Sequence, residues 1–591
     1  MRKLTGFLAI VGGLALLVMI LGGLFALVGA LSRPGVPDAT VLELDFETPL
    51  LEARPGDPVA KLMMKDTPVL RDLVDAIDRA AGDERVKGLV ARVGAAPIGL
   101  AQIQELRQAV TRFRQAGKFT VAWSETFGEG GGGNGAYYLA TAFDEIWMLP
   151  SGDLGLTGLI YESPFIKGTL DMLGVTPRMD QRYEYKNAMN TFTEKSYTAP
   201  HREAMQRLAD SQFDQIVKGI AERRGKSLDQ VRALIDKGPF LGEETVEAGL
   251  VDRLAYRDEV YAAARERAGE KAELLYPAVY LERAGRPHDK GETIALIYGI
   301  GGVTRGKSQF SPVTGQAAMG SDTVSAAFRA ALADKKVKAI IFRIDSPGGS
   351  YVASDAIWRE TVRARDKGIP VIVTMGNVAG SGGYFVAMAA KKIIAQPGTI
   401  TGSIGVLGGK MLTREMWAKL GVTFDGVKTA ANAEMYSSHY DYSDYGWQRH
   451  EQWLDRVYQD FTSKVAEGRN LPVEKVLEIA KGRIWTGEDA LQIGLVDEVG
   501  GYAEALRSAR EAAGLAADAA VRVKVFPREK KFIEGLLGGS APNSEPQAAL
   551  EAGVRTLRSI QPWARSLQQV GLGPHPGVLS MPVVLPAGAN P

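Results

Sequence analysis

The residue whose surroundings most clearly suggest covalent chemistry is a serine in the second half of the chain. Ser381 lies within the glycine-rich segment 379–383, which follows an apolar run at 371–375. A serine on a tight turn between a strand and a helix can present its hydroxyl to a substrate. Helix capping is a common structural role for serine, and the short motif alone would favour it. A second glycine-rich segment upstream, at 345–350, makes a nucleophile the better interpretation.

The upstream segment offers backbone groups for the same reaction. It reads Asp-Ser-Pro-Gly-Gly-Ser, and it lies between an apolar strand pattern and a helical pattern. Glycines at a helix N-terminus leave backbone N–H groups open to an oxyanion, and the N–H that follows a nucleophilic serine can act in the same way. The two segments together therefore predict a nucleophilic serine with backbone oxyanion donors beside it.

A nucleophilic serine needs a base, and histidine is scarce in this chain. No histidine lies between 293 and 436, and the five present have no metal-ligand spacing: His201, His288, His439, His450 and His575. Lysine can replace histidine when desolvation lowers its pKa towards neutrality. Lys186 and Lys428 each follow a Leu-Gly-Val-Thr motif, but most lysines are solvated surface residues. The spacing leaves both lysines open as the base.

The elements that must position these residues form an internal duplication. Six ordered matches recur at an offset near 250 residues: 41–46 with 293–298, 86–93 with 337–344, 133–138 with 380–385, 155–159 with 402–406, 173–176 with 420–423, and 242–252 with 487–497. The copies differ at polar positions, since the first has Asn134 where the second has Ser381. The same offset pairs Lys186 with Ala433, so the two candidate lysines are not equivalent.

Each copy alternates short β-branched runs with amphipathic helices, which predicts an α/β fold with βαβ units. In the second copy we expect strands at 337–344, 371–375 and 392–395, and helices at 350–367 and around 384–390. A longer helix at 449–469 carries apolar residues spaced by four, and packing on the core or on a neighbouring subunit is the preferred interpretation.

Composition excludes several functional classes. The chain has 591 residues, of which 45% are hydrophobic and 24% charged, which excludes a disordered, collagenous or coiled-coil protein. The absence of cysteine excludes disulfides, thiolate metal sites and a cysteine nucleophile. A net charge of +1 gives no strong field for nucleic acid, so no nucleic-acid partner is expected.

The first residues predict a membrane anchor. The run 7–31 has 25 residues without a charge, about 37 Å as a helix, and the preceding Arg2 and Lys3 should stay in the cytoplasm. A long cleaved signal peptide is the alternative, and both interpretations export the rest of the chain. The predicted organisation is an anchor and linker at 1–35, a first repeat at 36–285, a second repeat at 286–527 and a flexible C-terminal tail at 528–591.

The combination of anchor, tandem repeats and motifs at 345–350, 379–384 and 401–405 resembles the long, duplicated form of the protease IV family, also called signal peptide peptidase A. The resemblance covers nearly the whole chain. It implies two Clp protease/crotonase-like spiral domains and a serine protease with a Ser–Lys dyad. No cofactor or metal is implied.

Carried over by motif, the resemblance implies Ser381 as nucleophile and Lys186, in Tyr-Lys-Asn-Ala, as general base. Ser403 would orient the lysine amine, and Gly382 with Gly348 or Gly349 would supply oxyanion donors. Short family members take the lysine from the same repeat as the serine, which keeps Lys428 as the second candidate.

The resemblance also implies a setting for the reaction. It places a homotetramer on the bacterial inner membrane, with a single membrane pass, a periplasmic catalytic body and active sites that face an inner cavity. Short apolar peptides, such as cleaved signal peptides, would be the substrates. Two alternatives share parts of the pattern: a crotonase-type acyl-CoA enzyme, which uses the same scaffold, and an inactive membrane-anchored scaffold homologue.

Overall fold

The computed structural model of the chain describes residues 35–56, 58–94, 96–311 and 316–527, and two further pairs at 579–580 and 585–586. The predicted membrane anchor and most of the predicted tail lie outside the described residues. Within the described ranges, no helix combines the length and apolarity that a membrane crossing requires.

The first half alternates strands and helices along its length. Its strands are β1 (Thr40–Phe46), β2 (Val86–Val93), β3 (Phe119–Ser124), β4 (Glu145–Met148), β5 (Asp153–Leu154), β6 (Tyr161–Glu162), β7 (Thr176–Arg182), β8 (Phe240–Leu241), β9 (Arg253–Leu254) and β10 (Glu273–Leu275). Its helices are α1 (Pro58–Met63), α2 (Leu70–Ala81), α3 (Leu100–Gln115), α4 (Asn134–Ala140), α5 (Lys167–Leu173), α6 (Asn190–Thr193), α7 (Ala199–Arg224), α8 (Leu228–Lys237), α9 (Gly242–Glu247), α10 (Arg257–Ala268) and α11 (Pro277–Ala284).

The second half repeats that alternation. Its strands are β11 (Glu292–Ile300), β12 (Gly302–Thr304), β13 (Gln309–Phe310), β14 (Ala317–Gly320), β15 (Val337–Ser346), β16 (Gly348–Gly349), β17 (Val371–Gly380), β18 (Lys392–Ala395), β19 (Ile400–Gly402), β20 (Val406–Leu412), β21 (Ile484–Thr486), β22 (Glu498–Val499) and β23 (Val521–Phe526). Its helices are α12 (Ser321–Ala333), α13 (Tyr351–Asp366), α14 (Gly382–Phe385), α15 (Arg414–Lys419), α16 (Asp444–Arg469), α17 (Val473–Ile479), α18 (Gly487–Gln492) and α19 (Tyr502–Ala512).

The two main sheets have the same parallel core. The first has the order β10-β1-β2-β3-β4-β9, and the second contains the matching path β23-β11-β15-β17-β18-β22, with every neighbouring pair parallel in both. Most residues of β2 and β15 are buried, as expected for strands covered on both faces. The predicted mixed α/β fold with parallel sheets and the predicted duplication are confirmed.

Hydrogen bonds recur between the copies as well. Tyr137 donates its hydroxyl to the Leu250 carbonyl at 2.7 Å, and Tyr384 donates to the Leu495 carbonyl at 2.9 Å. Equivalent side chains therefore close the same turn in each half. The long helices α7 and α16 are also equivalent, with 26 residues each. Val457, Phe461 and Val465 of α16 are buried in the second core, as the core interpretation predicts.

A buried ionic cluster joins the halves. Arg343 of β15 lies within hydrogen-bond distance of two carboxylates from the first half, with Nε 2.8 Å from Glu52 Oε2 and Nη2 3.0 Å from Glu105 Oε2. The three side chains are at most 3% exposed. Burial raises the pKa of Glu105, whereas the two carboxylates together raise the pKa of Arg343 in spite of its burial. Neither half can separate without leaving buried charge unpaired.

Two expectations differ from the structure. The predicted helix around 384–390 is shorter and earlier, at Gly382–Phe385, because turns follow it directly. The tail predicted as flexible contributes two short strands, β24 (Leu579–Ser580) and β25 (Leu585–Pro586), which pair with β16 and β6. A strand of two residues forms only because it pairs with a strand edge elsewhere in the fold. A periodic pattern within the tail therefore cannot predict these two strands.

Candidate active site

Ser381 stands at the junction of β17 and α14 with an unusual backbone. Its φ is +53° and its ψ is −114°, a backbone conformation that residues other than glycine rarely adopt. Its N–H donates to the Gly402 carbonyl at 2.8 Å, and the side chain is fully buried. The turn therefore fixes the hydroxyl on a sharp strand-to-helix bend of the kind used to present nucleophiles.

Lys186 of the first half meets this serine directly. Its Nζ lies 2.7 Å from Ser381 Oγ, and it donates to the Ser403 carbonyl at 2.8 Å and to Ser403 Oγ at 3.0 Å. The lysine is 0% exposed, and burial lowers its pKa well below the ordinary range. No carboxylate of the described residues pairs with it to oppose that shift, so the neutral amine is favoured.

The antiparallel ladder of β7 and β20 brings the lysine into the second half. It pairs seven residues of each strand, from Thr176 opposite Leu412 to Arg182 opposite Val406. The chain leaves β7 at Arg182 and turns at once, and the Lys186 N–H donates to the Tyr183 carbonyl at 2.9 Å. A strand from one copy thus carries the amine to a serine of the other copy.

The segment 481–483 of the second half holds this turn against the serine side. The Lys481 carbonyl accepts from the N–H groups of Tyr183 and Tyr185, and the Arg483 carbonyl accepts from the Ser403 N–H at 2.7 Å. Gly482 lies so close that a Cβ on it would be 2.5 Å from Lys186 Cβ. Only glycine fits this contact, because both the φ of +82° and the spacing exclude a side chain.

The predicted oxyanion glycines lie on the other side of Ser381. In β16, Gly348 and Gly349 have φ values of +99° and +153°. The Gly348 N–H donates to Ser346 Oγ at 3.2 Å, so it already has an acceptor. A Cβ on Gly382 would be 3.0 Å from the Gly349 nitrogen, which places these two glycines side by side.

Lys428, the second candidate base, lies elsewhere. It is about half exposed, and its Nζ forms an ion pair with Glu434 Oε1 at 3.0 Å. It has the solvated, paired environment of an ordinary surface lysine. The structure therefore brings together Ser381, Lys186, Ser403, Gly349 and Gly382, and it leaves Lys428 on the surface.

The equivalent position in the first half is occupied by an amide. Asn134 Oδ1 accepts from the N–H groups of Thr157 and Gly158 at 3.2 and 3.1 Å, and its Nδ2 donates to the Gly158 carbonyl at 2.8 Å. These bonds tie down the turn that Ser403 occupies in the other copy. The residue at this position in the first half therefore stabilises a turn.

Sequence reasoning missed the residues that place the lysine. Gly482 and Lys481 lie about a hundred residues beyond the serine and belong to no recognised motif. The pair Lys481-Gly482 has positive φ at both positions, +55° and +82°, and a Lys-Gly dipeptide between a helix and a strand could have suggested a turn only. Within the described ranges, no three His, Asp or Glu side chains gather as metal ligands would.

Comparison with known proteins identifies the family of the chain. The model for peptidase family S49 matches residues 112–271 and 363–516, one stretch in each half. The chain is 31% identical over 478 residues to "Serine protease SPPA, chloroplastic" of Arabidopsis thaliana, covering 80% of this chain and 69% of that protein.

Two bacterial proteins match over a similar length. The chain is 33% identical to "Protease 4" of Salmonella typhi, covering 76% of this chain and 72% of that protein. It is 31% identical to "Protease 4" of Haemophilus influenzae, covering 76% and 74%. These matches favour a protease over an acyl-CoA enzyme or a non-catalytic scaffold. The chain belongs to peptidase family S49 and is a serine protease.

Proposed function

We propose that the protein cleaves peptides with a Ser–Lys dyad in which Ser381 is the nucleophile and Lys186 the general base. One observation carries the proposal: the Lys186 Nζ is buried, has no ion-pair partner among the described residues and lies 2.7 Å from Ser381 Oγ. A lysine in water is protonated at neutral pH and cannot accept a proton. Burial favours the neutral form that can.

The three partners of the amine match the needs of a base. A neutral amine has two N–H groups and one lone pair. The Ser403 carbonyl and Ser403 Oγ can accept those two hydrogens, at 2.8 and 3.0 Å. The lone pair then points to the remaining partner, Ser381 Oγ, whose hydroxyl donates to it. Ser403 acts in this way as a positioning residue.

The reaction that follows is acyl transfer. The Lys186 amine takes the hydroxyl proton while Ser381 Oγ bonds to the scissile carbonyl carbon. The N–H groups of Gly349 and Gly382 stabilise the oxyanion, since the Gly348 N–H is engaged with Ser346. The C–N bond breaks, the leaving amine takes the proton from Lys186, and water then hydrolyses the ester by the same route.

Apolar peptides are the proposed substrates. An apolar cluster joins Tyr161 and Tyr185 of the first half to Val378 and Ile400 of the second. Tyr185 precedes the lysine, and Val378 and Ile400 lie in the strands that end beside Ser381. Apolar side chains are favourable in such surroundings. Short apolar segments, including signal-peptide remnants, fit this chemistry.

The cellular setting is part of the proposal. The uncharged run 7–31 supports a single membrane anchor with the catalytic body on the periplasmic side of a bacterial inner membrane. The paired parallel sheets support a Clp protease/crotonase-like spiral fold in each half. A homotetramer with enclosed active sites would restrict access to short, unfolded peptides.

Three variants of the full-length protein test the assignment. Ser381→Ala and Lys186→Ala should lose peptidase activity by at least about 10³-fold, whereas Lys428→Ala should retain it. A fluorophosphonate probe should label the parent at Ser381 and fail to label Ser381→Ala. Loss of activity in Lys428→Ala alone would reject Lys186 as the base, and full activity in Ser381→Ala would reject the nucleophile.

A further inference from the structure

The pairing of β15 with β17 is irregular just before the candidate nucleophile. The register shifts between Ile344 and Ser346, so that Asp345 alone faces residues 376–378 of β17. Extra residues on one strand of a pair make a bulge, whose backbone leaves the regular ladder. Strand β17 resumes its pairing after this bulge and ends directly before Ser381. The shape of the bulge therefore sets where the serine bend begins.

The side chain of Asp345 holds the bulge. Its Oδ1 accepts from the Val378 N–H at 2.9 Å, and the Asn377 N–H also hydrogen-bonds to the carboxylate. A Cβ on Gly376 would be 3.0 Å from Asp345 Cβ, so the side chain packs directly on the bulged backbone. N–H groups that leave a ladder need other acceptors, and the carboxylate supplies one.

The first copy differs at both features. Its residue equivalent to Asp345 is Gly94, which has no side chain. The register of β2 with β3 is continuous, and residues 125–133 then connect β3 to the bend at Asn134. In the second copy the shorter segment 376–380 makes the same connection. The carboxylate and the short bulged connection therefore occur together, in the copy that carries the serine.

The backbone of Asp345 leads in the other direction, to the oxyanion glycines. Its carbonyl accepts from the Gly301 N–H at 2.9 Å, and the hydroxyl of the next residue, Ser346, donates to the Gly301 carbonyl at 2.7 Å. The same hydroxyl oxygen accepts from the Gly348 N–H at 3.2 Å. One short segment thus fixes the start of β16, and the side chain of its first residue fixes the strand that leads to Ser381.

We propose that Asp345 is a positioning residue of the active site, whose carboxyl group keeps the Ser381 hydroxyl in place relative to the oxyanion glycines. The proposal deepens the proposed function and rests on it, because it takes Ser381 as the nucleophile. The nucleophile and the oxyanion donors must meet one carbonyl group together, and misplacement by about 1 Å costs about 10²-fold in rate. Because Asp345 acts through the backbone of β17, its effect falls mainly on kcat.

Asparagine should replace Asp345 in this role. Desolvation, together with the nearby Glu52 carboxylate, raises the pKa of Asp345 to about 7. The ionised and the protonated carboxyl group both keep an oxygen that can accept from the Val378 N–H. The amide oxygen of asparagine can accept in the same geometry, so the bond does not require the negative charge.

The first experiment measures kcat and KM of full-length variants on an apolar peptide. Asp345→Ala should lower kcat about 100-fold and change KM by less than about threefold, whereas Asp345→Asn should keep kcat within about fivefold of the parent. The matched control is Asp497→Ala, which removes a carboxylate that accepts from the Ile393 N–H at 2.7 Å in the same sheet, and its kcat should equal that of the parent. A loss below about tenfold in Asp345→Ala, or an equal loss in Asp345→Asn or in the control, would overturn the proposal.

A milder variant covers the case in which Asp345→Ala does not fold. Gly376→Ala adds a methyl group 3.0 Å from Asp345 Cβ and so displaces the carboxyl group by a few tenths of an ångström. Its kcat should fall about three- to tenfold at constant KM. Gly135→Ala adds similar crowding in the first copy, 3.1 Å from Ile103 Cδ1, and should keep the kcat of the parent. An unchanged kcat in Gly376→Ala, or an equal fall in Gly135→Ala, would contradict the proposal.

Hydrogen exchange separates this proposal from the assignment of the dyad. In Ser381→Ala protein, the amides of 376–381 should exchange at least about tenfold faster when Asp345→Ala is added, and adding Asp497→Ala should leave them unchanged. This readout needs no turnover. Residual activity of Ser381→Ala would reject the proposed function, whereas unchanged exchange at 376–381 would reject the role of Asp345.

Discussion

Replacing Gly482 with alanine should disable the proposed active site although no reacting group is removed. A Cβ at this position would lie 2.5 Å from both Cβ and N of Lys186, and 2.6 Å from its Cα. Favourable carbon contacts are about 3.5–4.0 Å, so one of the two segments must move by about 1 Å. The crowded atoms belong to the backbone and to Cβ, so no side-chain rotation can relieve the contact.

The size of the effect follows from that displacement. A shift of about 1 Å would lengthen the 2.7 Å contact between Lys186 Nζ and Ser381 Oγ beyond hydrogen-bond distance. Misplacement of this size costs about 10²-fold in rate. We therefore expect kcat/KM for a peptide ester to fall about 100-fold, or about 2.7 kcal/mol, mostly through kcat.

A matched variant separates crowding from backbone strain. Alanine in a left-handed conformation costs about 1–2 kcal/mol of folding free energy wherever it occurs. Gly117 has φ +78°, and no atom lies within 4 Å of its Cβ position, so Gly117→Ala carries the strain without the crowding. Gly482→Ala should lose more stability than Gly117→Ala, because it adds crowding to the same strain, and only Gly482→Ala should lose activity. Equal activity of both, at a temperature where circular dichroism shows both folded, would refute the steric argument.

Further predictions concern protonation, the buried ions and the first-half site. Because burial lowers the pKa of Lys186, kcat/KM should hold a plateau well below pH 10.4 and fall towards acid as the amine gains its proton; a rise only near pH 10.4 would contradict a buried base. Below about pH 10.4 the lysine of the unfolded chain carries a proton that the buried lysine lacks, so the free energy of unfolding should rise with pH up to about 10.4. Urea midpoints measured across this pH range should rise less steeply for Lys186→Met than for the parent. Arg343→Leu should lower the free energy of unfolding in urea by about 3–5 kcal/mol, because Glu52 and its neighbouring carboxylate stay buried without a partner; a loss below about 1 kcal/mol would contradict this. Asn134→Ser should cost about 1–3 kcal/mol in the same assay and should restore no activity to Ser381→Ala.

Local signals in the sequence were enough for the scaffold and for one side of the site. The apolar run at 337–344 lies within β15, and the Gly-Ser-Gly-Gly motif marks the bend at Ser381 because strand, turn and helix are all encoded nearby. The duplication seen in the sequence is matched by the shared strand order of the two main sheets. These features depend on contacts between residues that are close in sequence or repeated in it.

The lysine could not be chosen from spacing, because its position depends on pairing between distant strands. Lys186 and Ser381 are 195 residues apart, and the ladder of β7 with β20 that joins them breaks the symmetry of the repeat. The requirement for glycine at position 482 could not be predicted from the sequence either, because it arises from a close approach to Lys186 in the folded chain. The resemblance of the Tyr-Lys-Asn-Ala motif to the family favoured Lys186, whereas the residues around each lysine gave no reason to prefer either.

The β7–β20 ladder also bears on how the two copies divide their work. Under the proposed dyad, the first copy supplies only the amine and the second copy only the serine, so neither copy needs both groups. At the position equivalent to the serine, the first copy has Asn134, whose side chain holds the turn at Thr157 and Gly158. If the dyad is as proposed, deleting either copy leaves half of a reaction centre with no complement.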